Sequence, residues 1–285
     1  MRRNHPHLRR EGGLVMSILS RWHAALAEQS PVAMATVIEG PDGAPGGKIL
    51  VTPEDYEGTA GNGELDKAIV ESARGLLEGG RTETRHFGPR GQRRMEDVAV
   101  FIQSFAPPPK MYVFGAIDFA SAVARIGKFM GYRVTVCDAR AVFATRERFP
   151  SADEVVVAWP DEFLQTAEAD KRTVICVLTH DPKFDVPVLK AALATEAGYI
   201  GAMGSRRTHN NRTARLKEEG ATDEDLARIS SPIGLDIGAR TPEETAVAIA
   251  GEIIALRTGH SGGRLAGRSG AIHAPEQREA APTER

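Results

Sequence analysis

Apolar residues first recur at helical spacing over 18–29, where Ile18, Leu19, Trp22, Ala25 and Leu26 share a face and Pro31 marks the stop. The chain then turns β-prone at 32–38 and 48–52, around the turn-rich GPDGAPGG loop at 40–47. A glycine-rich loop at 58–63 feeds a helix over 64–77, which Gly79 and Gly80 end. Further strands are predicted at 82–86 and 98–105. These elements follow no regular rhythm and predict a small α+β domain over 16–106. Pro107, Pro108 and Pro109 continue neither a strand nor a helix, so a stiff linker is expected at 107–110.

From Met111 the pattern changes. Apolar, β-branched runs at 111–114, 133–137, 154–158, 174–178 and 199–202 alternate with helical patterns at 119–130, 161–168, 187–194, 206–219 and 242–257. Strands of this kind are buried on both faces, so the rhythm predicts a parallel sheet covered by helices over 111–257. The expected fold class is α/β: a C-terminal Rossmann-like parallel sheet with a smaller N-terminal α+β domain. Ligands of such sheets bind at the carboxyl ends of the strands, which directs attention to four segments.

The first is VFGAIDFA, the turn between the first strand and helix. Gly115 is present and Ala120 suits the third glycine position of a dinucleotide fingerprint, but Ile117 stands at the second. Asp118 caps the helix and would repel a phosphate there. Asp138, at the end of the next strand, could bind ribose hydroxyls, and Arg140 could meet a phosphate; both could equally be solvated strand-end residues. The second segment is YIGAMGSRR, where Gly204, Ser205, Arg206 and Arg207 turn from a strand into a helix. Unpaired N–H groups, a hydroxyl and two guanidinium groups favour an anion there, against the alternative of a simple serine cap with surface arginines. The third is THD at 179–181, with His180 the best placed of the eight histidines for proton transfer or for hydrogen bonding to a heterocycle. The fourth is SPIGLDIGAR, followed by Thr241, Pro242 and Glu244 as a helix start. Its loop could line the same crevice as YIGAMGSRR.

Composition narrows the function classes. At 285 residues the chain can bury two cores, and 41% hydrophobic with 26% charged residues is ordinary for a globular protein. A net charge of −2 argues against general nucleic-acid binding. Cys137 and Cys176 lie in apolar strands and read as buried free thiols of a reducing, cytoplasmic compartment. No zinc-type cysteine spacing occurs, and no apolar run approaches the ~20 residues of a membrane span. Residues 1–15 read as a disordered leader, or as sequence upstream of a start at Met16. The Gly-, Ser-, Pro- and Arg-rich stretch at 258–285 reads as a disordered tail.

YIGAMGSRR, SPIGLDIGARTPEETAVAIAGEIIA and the VFGA…VTVCDAR unit together resemble the XdhC/CoxI family of molybdenum-enzyme accessory proteins. GKILV and GTAGNGELD extend the likeness into the N-terminal domain. The resemblance implies binding of molybdopterin, the molybdenum cofactor, and its delivery to a xanthine dehydrogenase- or carbon monoxide dehydrogenase-type apoenzyme. It implies a cofactor chaperone rather than a catalyst, with the anionic cofactor at Ser205, Arg206 and Arg207. A sulfur-donor protein and a homodimer are compatible with it. The family's first turn reads like GAGHV, so the chain lacks both the second glycine and the histidine. A gapless reading sets Glu64 at the family's N-terminal cysteine and Asp66 at its glutamate, making these the candidates on the N-terminal side of a cleft. A carboxylate cannot carry a persulfide, so direct sulfur relay by this chain is not expected. Two alternatives differ in class: an NAD(P)-dependent oxidoreductase with an atypical turn, and an assembly scaffold without a ligand.

Overall fold

A computed structural model describes residues 17–40, 46–92, 95, 97–179 and 181–267. The expected leader at 1–15, most of the 40–47 loop, and 268–285 of the expected tail lie outside the described residues. The chain divides into two compact units, with the boundary between Pro108 and Pro109.

In the first unit, α1 (Ile18–Ala27) is capped by Ser17, whose hydroxyl accepts from the Ser20 N–H. Strands β1 (Val32–Glu39), β2 (Lys48–Val51) and β3 (Tyr56–Thr59) follow, then α2 (Gly63–Glu78), β4 (Glu83–Phe87) and β5 (Val98–Phe105). The strands form one antiparallel sheet in the order β3-β2-β1-β5-β4. Side chains alternate across it. Ala33, Ala35 and Val37 meet Leu65, Ile69, Ala73 and Leu76 of α2. Val32 and Met34 face the other way and pack with Trp22 of α1.

Strand β3 was not expected: the glycine content of 58–63 reads as loop. Gly58 sits inside this strand at φ +104°, where an added Cβ would lie 2.1 Å from the Lys48 carbonyl oxygen. The glycine lets β3 bend and still pair with β2 from Lys48↔Thr59 to Val51↔Tyr56.

The second unit runs β6 (Lys110–Phe114), α3 (Asp118–Phe129), β7 (Arg133–Cys137), β8 (Glu154–Val156), α4 (Pro160–Thr166), β9 (Val174–Val177), α5 (Pro182–Leu193) and β10 (Tyr199–Ala202). It continues through α6 (Arg206–Glu218), α7 (Asp223–Ala227), β11 (Ile229–Ser230) and α8 (Pro242–Thr258). The sheet order is β11-β10-β9-β6-β7-β8, and every pairing is parallel. Numbered within the unit this is 3-2-1-4-5-6 read from the β8 edge, the doubly wound arrangement whose switch point lies between β6 and β9. Met111 and Val113 point to the side covered by α3 and α8. Tyr112 and Phe114 point to the side covered by α4, α5 and α6.

Three details differ from the sequence reading. Strand β6 begins at Lys110, which pairs with Arg133. Helix α5 begins at Pro182, five residues before the expected start at 187, because Asp181 caps it and accepts from the Lys183 N–H. Pro187 lies in its second turn, where it cannot donate to the Lys183 carbonyl, so the helix forgoes one i→i−4 bond there. The short α7 and β11 were not expected; a capping box of Thr222 and Asp225 starts α7. Among the described residues no helix is long and apolar enough to cross a membrane.

Both cysteines are buried, Cys137 on the α5 side of the sheet and Cys176 on the α8 side. Burial pushes each thiol up to about 12. Neither presents a thiolate at neutral pH. A thiol-specific chromogenic reagent should therefore leave both unreacted in the native protein and titrate both in denaturant; fast native reaction of either would contradict this burial.

Candidate functional site

The carboxyl edge of the parallel sheet carries most of the candidate residues. Gly115 turns the chain out of β6 at φ +99°, and an added Cβ would lie 2.7 Å from the Thr179 methyl and 3.0 Å from its backbone nitrogen. A side chain would push this turn away from β9. The next residue, Ala116, donates its N–H to Asp138 Oδ2 at 2.8 Å.

Asp138 is almost fully buried. Its Oδ1 accepts from the Arg140 N–H and Nε, both at 2.9 Å, and its Oδ2 accepts from Arg140 Nη2 at 2.8 Å as well as from Ala116. These bonds occupy the roughly four acceptor positions of a carboxylate. Burial opposes ionisation, but the hydrogen bonds from the Arg140 side chain, the Ala116 N–H and the Arg140 N–H outweigh it. The carboxyl group is held below its ordinary value. In this arrangement Asp138 ties the first turn to the end of β7 and has no acceptor left for a ribose hydroxyl. At the start of α3, Ile117 packs on the core and gives no side-chain cap. Asp118 stands exposed beside it, 3.4 Å from Arg148. That helix end therefore presents a carboxylate where a dinucleotide would bring a pyrophosphate.

The N-terminus of α6 has the opposite character. Ser205 caps it, accepting from the Thr208 N–H at 3.1 Å, and no acidic residue lies in the first turn. Ser205, Arg206 and Arg207 are exposed, and neither arginine has a carboxylate partner among the described residues. The first N–H groups of a helix have no intrahelical acceptor. Here they stand together with two free guanidinium groups.

Beneath this end lies a buried ion pair that the sequence reading missed. The side chains of Arg212 and Asp185 are 4% and 2% exposed, and Arg212 Nη2 donates to Asp185 Oδ2 at 2.6 Å. The same nitrogen donates to the Met203 carbonyl at 2.8 Å, and Nη1 reaches Ser231 Oγ at 3.3 Å. Thr179 donates its hydroxyl to Asp185 Oδ1. An added Cβ on Gly204 would lie 3.6 Å from Arg212 Nη2, so the guanidinium sits directly under the Gly204–Ser205 turn. One guanidinium thus joins the ends of β9, β10 and β11 to α5 and α6. Among the described residues its Nε is buried without a partner. The signal in the sequence was Leu216, the sole large apolar residue of RRTHNNRTARLKE. Arg212 lies four residues before it, on the same face of the helix.

The remaining candidates are placed as follows. His180 lies outside the described residues, between Thr179 and Asp181. The loop before α8 is fixed by Glu252, whose Oε2 accepts from Tyr199 Oη at 2.5 Å and from the Gly234 N–H at 2.9 Å. Ile233 reaches the β10 edge, close to Gly201. The cavity this loop lines, about 310 Å³, is shared with Glu243, Glu244 and Val247 of α8 and not with 199–207. In the first unit, Glu64 is exposed in the first turn of α2. Asp66 is buried and accepts from Thr59 Oγ1 at 2.7 Å and the Ala60 N–H at 2.6 Å. Asp66 thereby fastens the loop ahead of α2, while Glu64 leaves its carboxylate in solvent. Among the described residues no group of three or more His, Cys, Asp or Glu is arranged to hold a metal ion.

Residues 111–253 match the XdhC Rossmann domain, and residues 25–88 match the XdhC and CoxI family. A Bacillus subtilis protein, named as a probable xanthine dehydrogenase subunit, is 30% identical over 192 residues, covering 62% of this chain and 56% of that protein. The molybdenum cofactor insertion chaperone PaoD of Escherichia coli is 28% identical over 157 residues, 55% of this chain and 43% of that protein. The chain spans about half the length of the curated relatives it matches. The crystal structure of a xanthine dehydrogenase from Bacillus halodurans aligns with 85% of this chain and 96% of its own, at 20% identity and a TM-score of 0.49.

Two measurements test these contacts. Replacing Arg212 by Met takes the guanidinium away from the buried Asp185 carboxylate and should lower the unfolding free energy of the second unit by about 3–5 kcal/mol in a urea titration. Because Asp138 ionises below its ordinary value when folded, its contribution is complete above about pH 3.9 and is lost as pH falls through the lowered value. Asp138→Asn should therefore destabilise the protein at pH 7 and flatten its acid-side loss of stability.

Proposed function

The chain belongs to the XdhC and CoxI family, and from that membership we propose that it is an accessory protein that binds the molybdenum cofactor and assists its insertion into a molybdenum hydroxylase. The observation that carries the proposal is the α6 N-terminus: Ser205, two unpaired arginines and free N–H groups at the carboxyl edge of a sheet that matches the family from 111 to 253. Molybdopterin carries a phosphate, and its anionic end suits this site. Helix N–H groups supply direction, and the guanidinium groups supply charge-assisted bonds. The cofactor is cargo on this reading, held and handed over rather than consumed.

The proposed roles follow from the contacts. Gly204, Ser205, Arg206 and Arg207 hold the anion. Gly115 brings the first turn against β9, and Asp138 with Arg140 stiffens the neighbouring strand end. His180, which lies outside the described residues, is proposed as a further contact to the cofactor. Glu64 in the first unit is a surface contact for the client or donor protein rather than a sulfur carrier, and Asp66 holds its helix. The proposed client is a xanthine dehydrogenase- or carbon monoxide dehydrogenase-type apoenzyme, served in the cytoplasm. The names of the Bacillus subtilis and Escherichia coli relatives support this class.

Activity as a nicotinamide-dependent oxidoreductase is disfavoured by Ile117, by the Asp118 carboxylate at the start of α3 and by the filled acceptor positions of Asp138. Both readings meet in one pair of measurements. Arg206→Ala removes a charged hydrogen-bonding group worth about 1.5–3 kcal/mol, so cofactor retention should weaken roughly ten- to hundredfold and activation of the client hydroxylase in cells should fall with it. NADH fluorescence should remain unchanged on titration with the pure protein. Full client activation with Arg206→Ala would favour a ligand-free scaffold; micromolar NADH binding would favour the oxidoreductase.

A further inference from the structure

Helix α8 is apolar on almost every side. Over 246–256 its one charged residue is Glu252, and that carboxylate is engaged with Tyr199 and Gly234. A helix that is apolar all round ordinarily lies buried all round. Three sides of α8 are covered. Ala246, Ile249 and Ile253 join the core formed with α3 and the sheet. An ion pair between Arg125 and Glu243 at its start, and a hydrogen bond between Arg257 and Tyr132 near its end, hold the α3 segment along one flank. On the other flank Leu235 donates its N–H to the Ala248 carbonyl at 3.1 Å, and its Cδ1 would lie 3.0 Å from a Cβ added to Gly251. The fourth side stands in solvent: Val247 is 53% exposed and Ile254 43%. These two lie two turns apart on one line of the helix. Beside them opens the cavity of about 310 Å³ that Ile237 and Val247 line with Glu243 and Glu244.

This face complements itself. Its first turn is acidic, with Glu243 and Glu244, and its last turn carries Arg257. Two such helices laid side by side in the same direction set acid against acid and base against base. Laid in opposite directions, they bring Val247 opposite Ile254 of the second copy, and Ala250 opposite Gly251. In that register Glu243 and Glu244 come opposite Thr258 and Arg257 of the second copy. Each pairing then occurs twice, as a two-fold axis requires. The helix dipoles run antiparallel, and only small residues stand at the crossing point, so the two helices approach closely.

We propose that the exposed face of α8 is an interface with a second copy of this chain, paired antiparallel about a two-fold axis between Ala250 and Gly251. Ile254 of each copy meets the other at Val247, on the wall of the cavity, and fills it. An apolar anchor in a pocket with a charged rim is the ordinary anatomy of such a contact. The charges at the two ends fix direction and register. Helices α8 and α6 cover opposite sides of the sheet, so the pairing leaves the α6 N-terminus of each copy open. The interface goes beyond the function proposed above and does not depend on the molybdenum cofactor.

Sedimentation equilibrium of the full-length protein at micromolar concentration should give twice the chain mass of 30.7 kDa. Glu243→Arg sets base against base at both ends of the contact and should weaken the dimer roughly tenfold, as should Arg257→Glu. The two changes combined in one chain should restore it, which a variant that merely misfolds would not do. Register is read separately by cross-linking, since both native thiols are buried. A chain with Val247→Cys and Ile254→Cys together should form a disulfide-linked dimer under air oxidation. Val247→Cys alone should not, and within one helix the two positions are too far apart to bridge. A monomer at every concentration overturns the proposal. So does a dimer that neither charge reversal weakens, which places the contact elsewhere. So does a monomer in which the Val247→Cys thiol is shielded from reagent, which assigns the face to residues 268–285.

Discussion

The ion pair between Arg212 and Asp185 is the constraint on which the carboxyl edge depends. Two charges taken out of water this completely persist only where their partners are fixed. Here the partners are the Met203 carbonyl, Ser231 and Thr179, at the ends of three adjacent strands. The pair therefore sets where α5 and α6 begin relative to the sheet. The exposed N-terminus of α6 inherits its position from a guanidinium buried further along the same helix. A second carboxylate, Asp138, does the same on the other side of the switch point by joining the first turn to β7.

This division of labour gives the edge its chemical character. The acids that a dinucleotide enzyme would use for sugar recognition are consumed in holding backbone. The bases at α6 are left unpaired. The same edge thus presents a carboxylate at α3, which follows β6, and arginines without carboxylate partners among the described residues at α6, which follows β10 on the far side of β9. The proposed carriage of an anionic cofactor is served by this combination of a rigid cradle and cations left without carboxylate partners among the described residues. Both thiols are buried in the core and held protonated, and the gapless reading of the sequence sets a carboxylate, Glu64, at the family's cysteine.

Much of this architecture was legible in the sequence. Strand β10 is a short apolar run between turn residues, and its span 199–202 coincides with the structure. The helix start at Thr241 carries its capping box openly in TPEE, and both of its hydrogen bonds form. The misreadings have physical causes. Glycine is read as loop, yet Gly58 is a strand residue because the bend in β3 needs its backbone freedom. Proline is read as a helix start, yet Pro187 sits in the second turn of α5, and the earlier start at Pro182 brings Asp185 into the helix.

The site was less legible than the fold. Gly204, Ser205, Arg206 and Arg207 declare themselves in one contiguous motif, because helix-end chemistry is local. Arg212 does not, since a buried arginine in a polar helix is spelled like an exposed one.

The account stands most directly on what the protein carries. Full-length protein purified from cells that make molybdopterin, denatured and analysed for released small molecules, should yield a pterin in the wild type and markedly less in Arg206→Ala. Release of an adenine dinucleotide with no pterin, or of no small molecule at all, would contradict it.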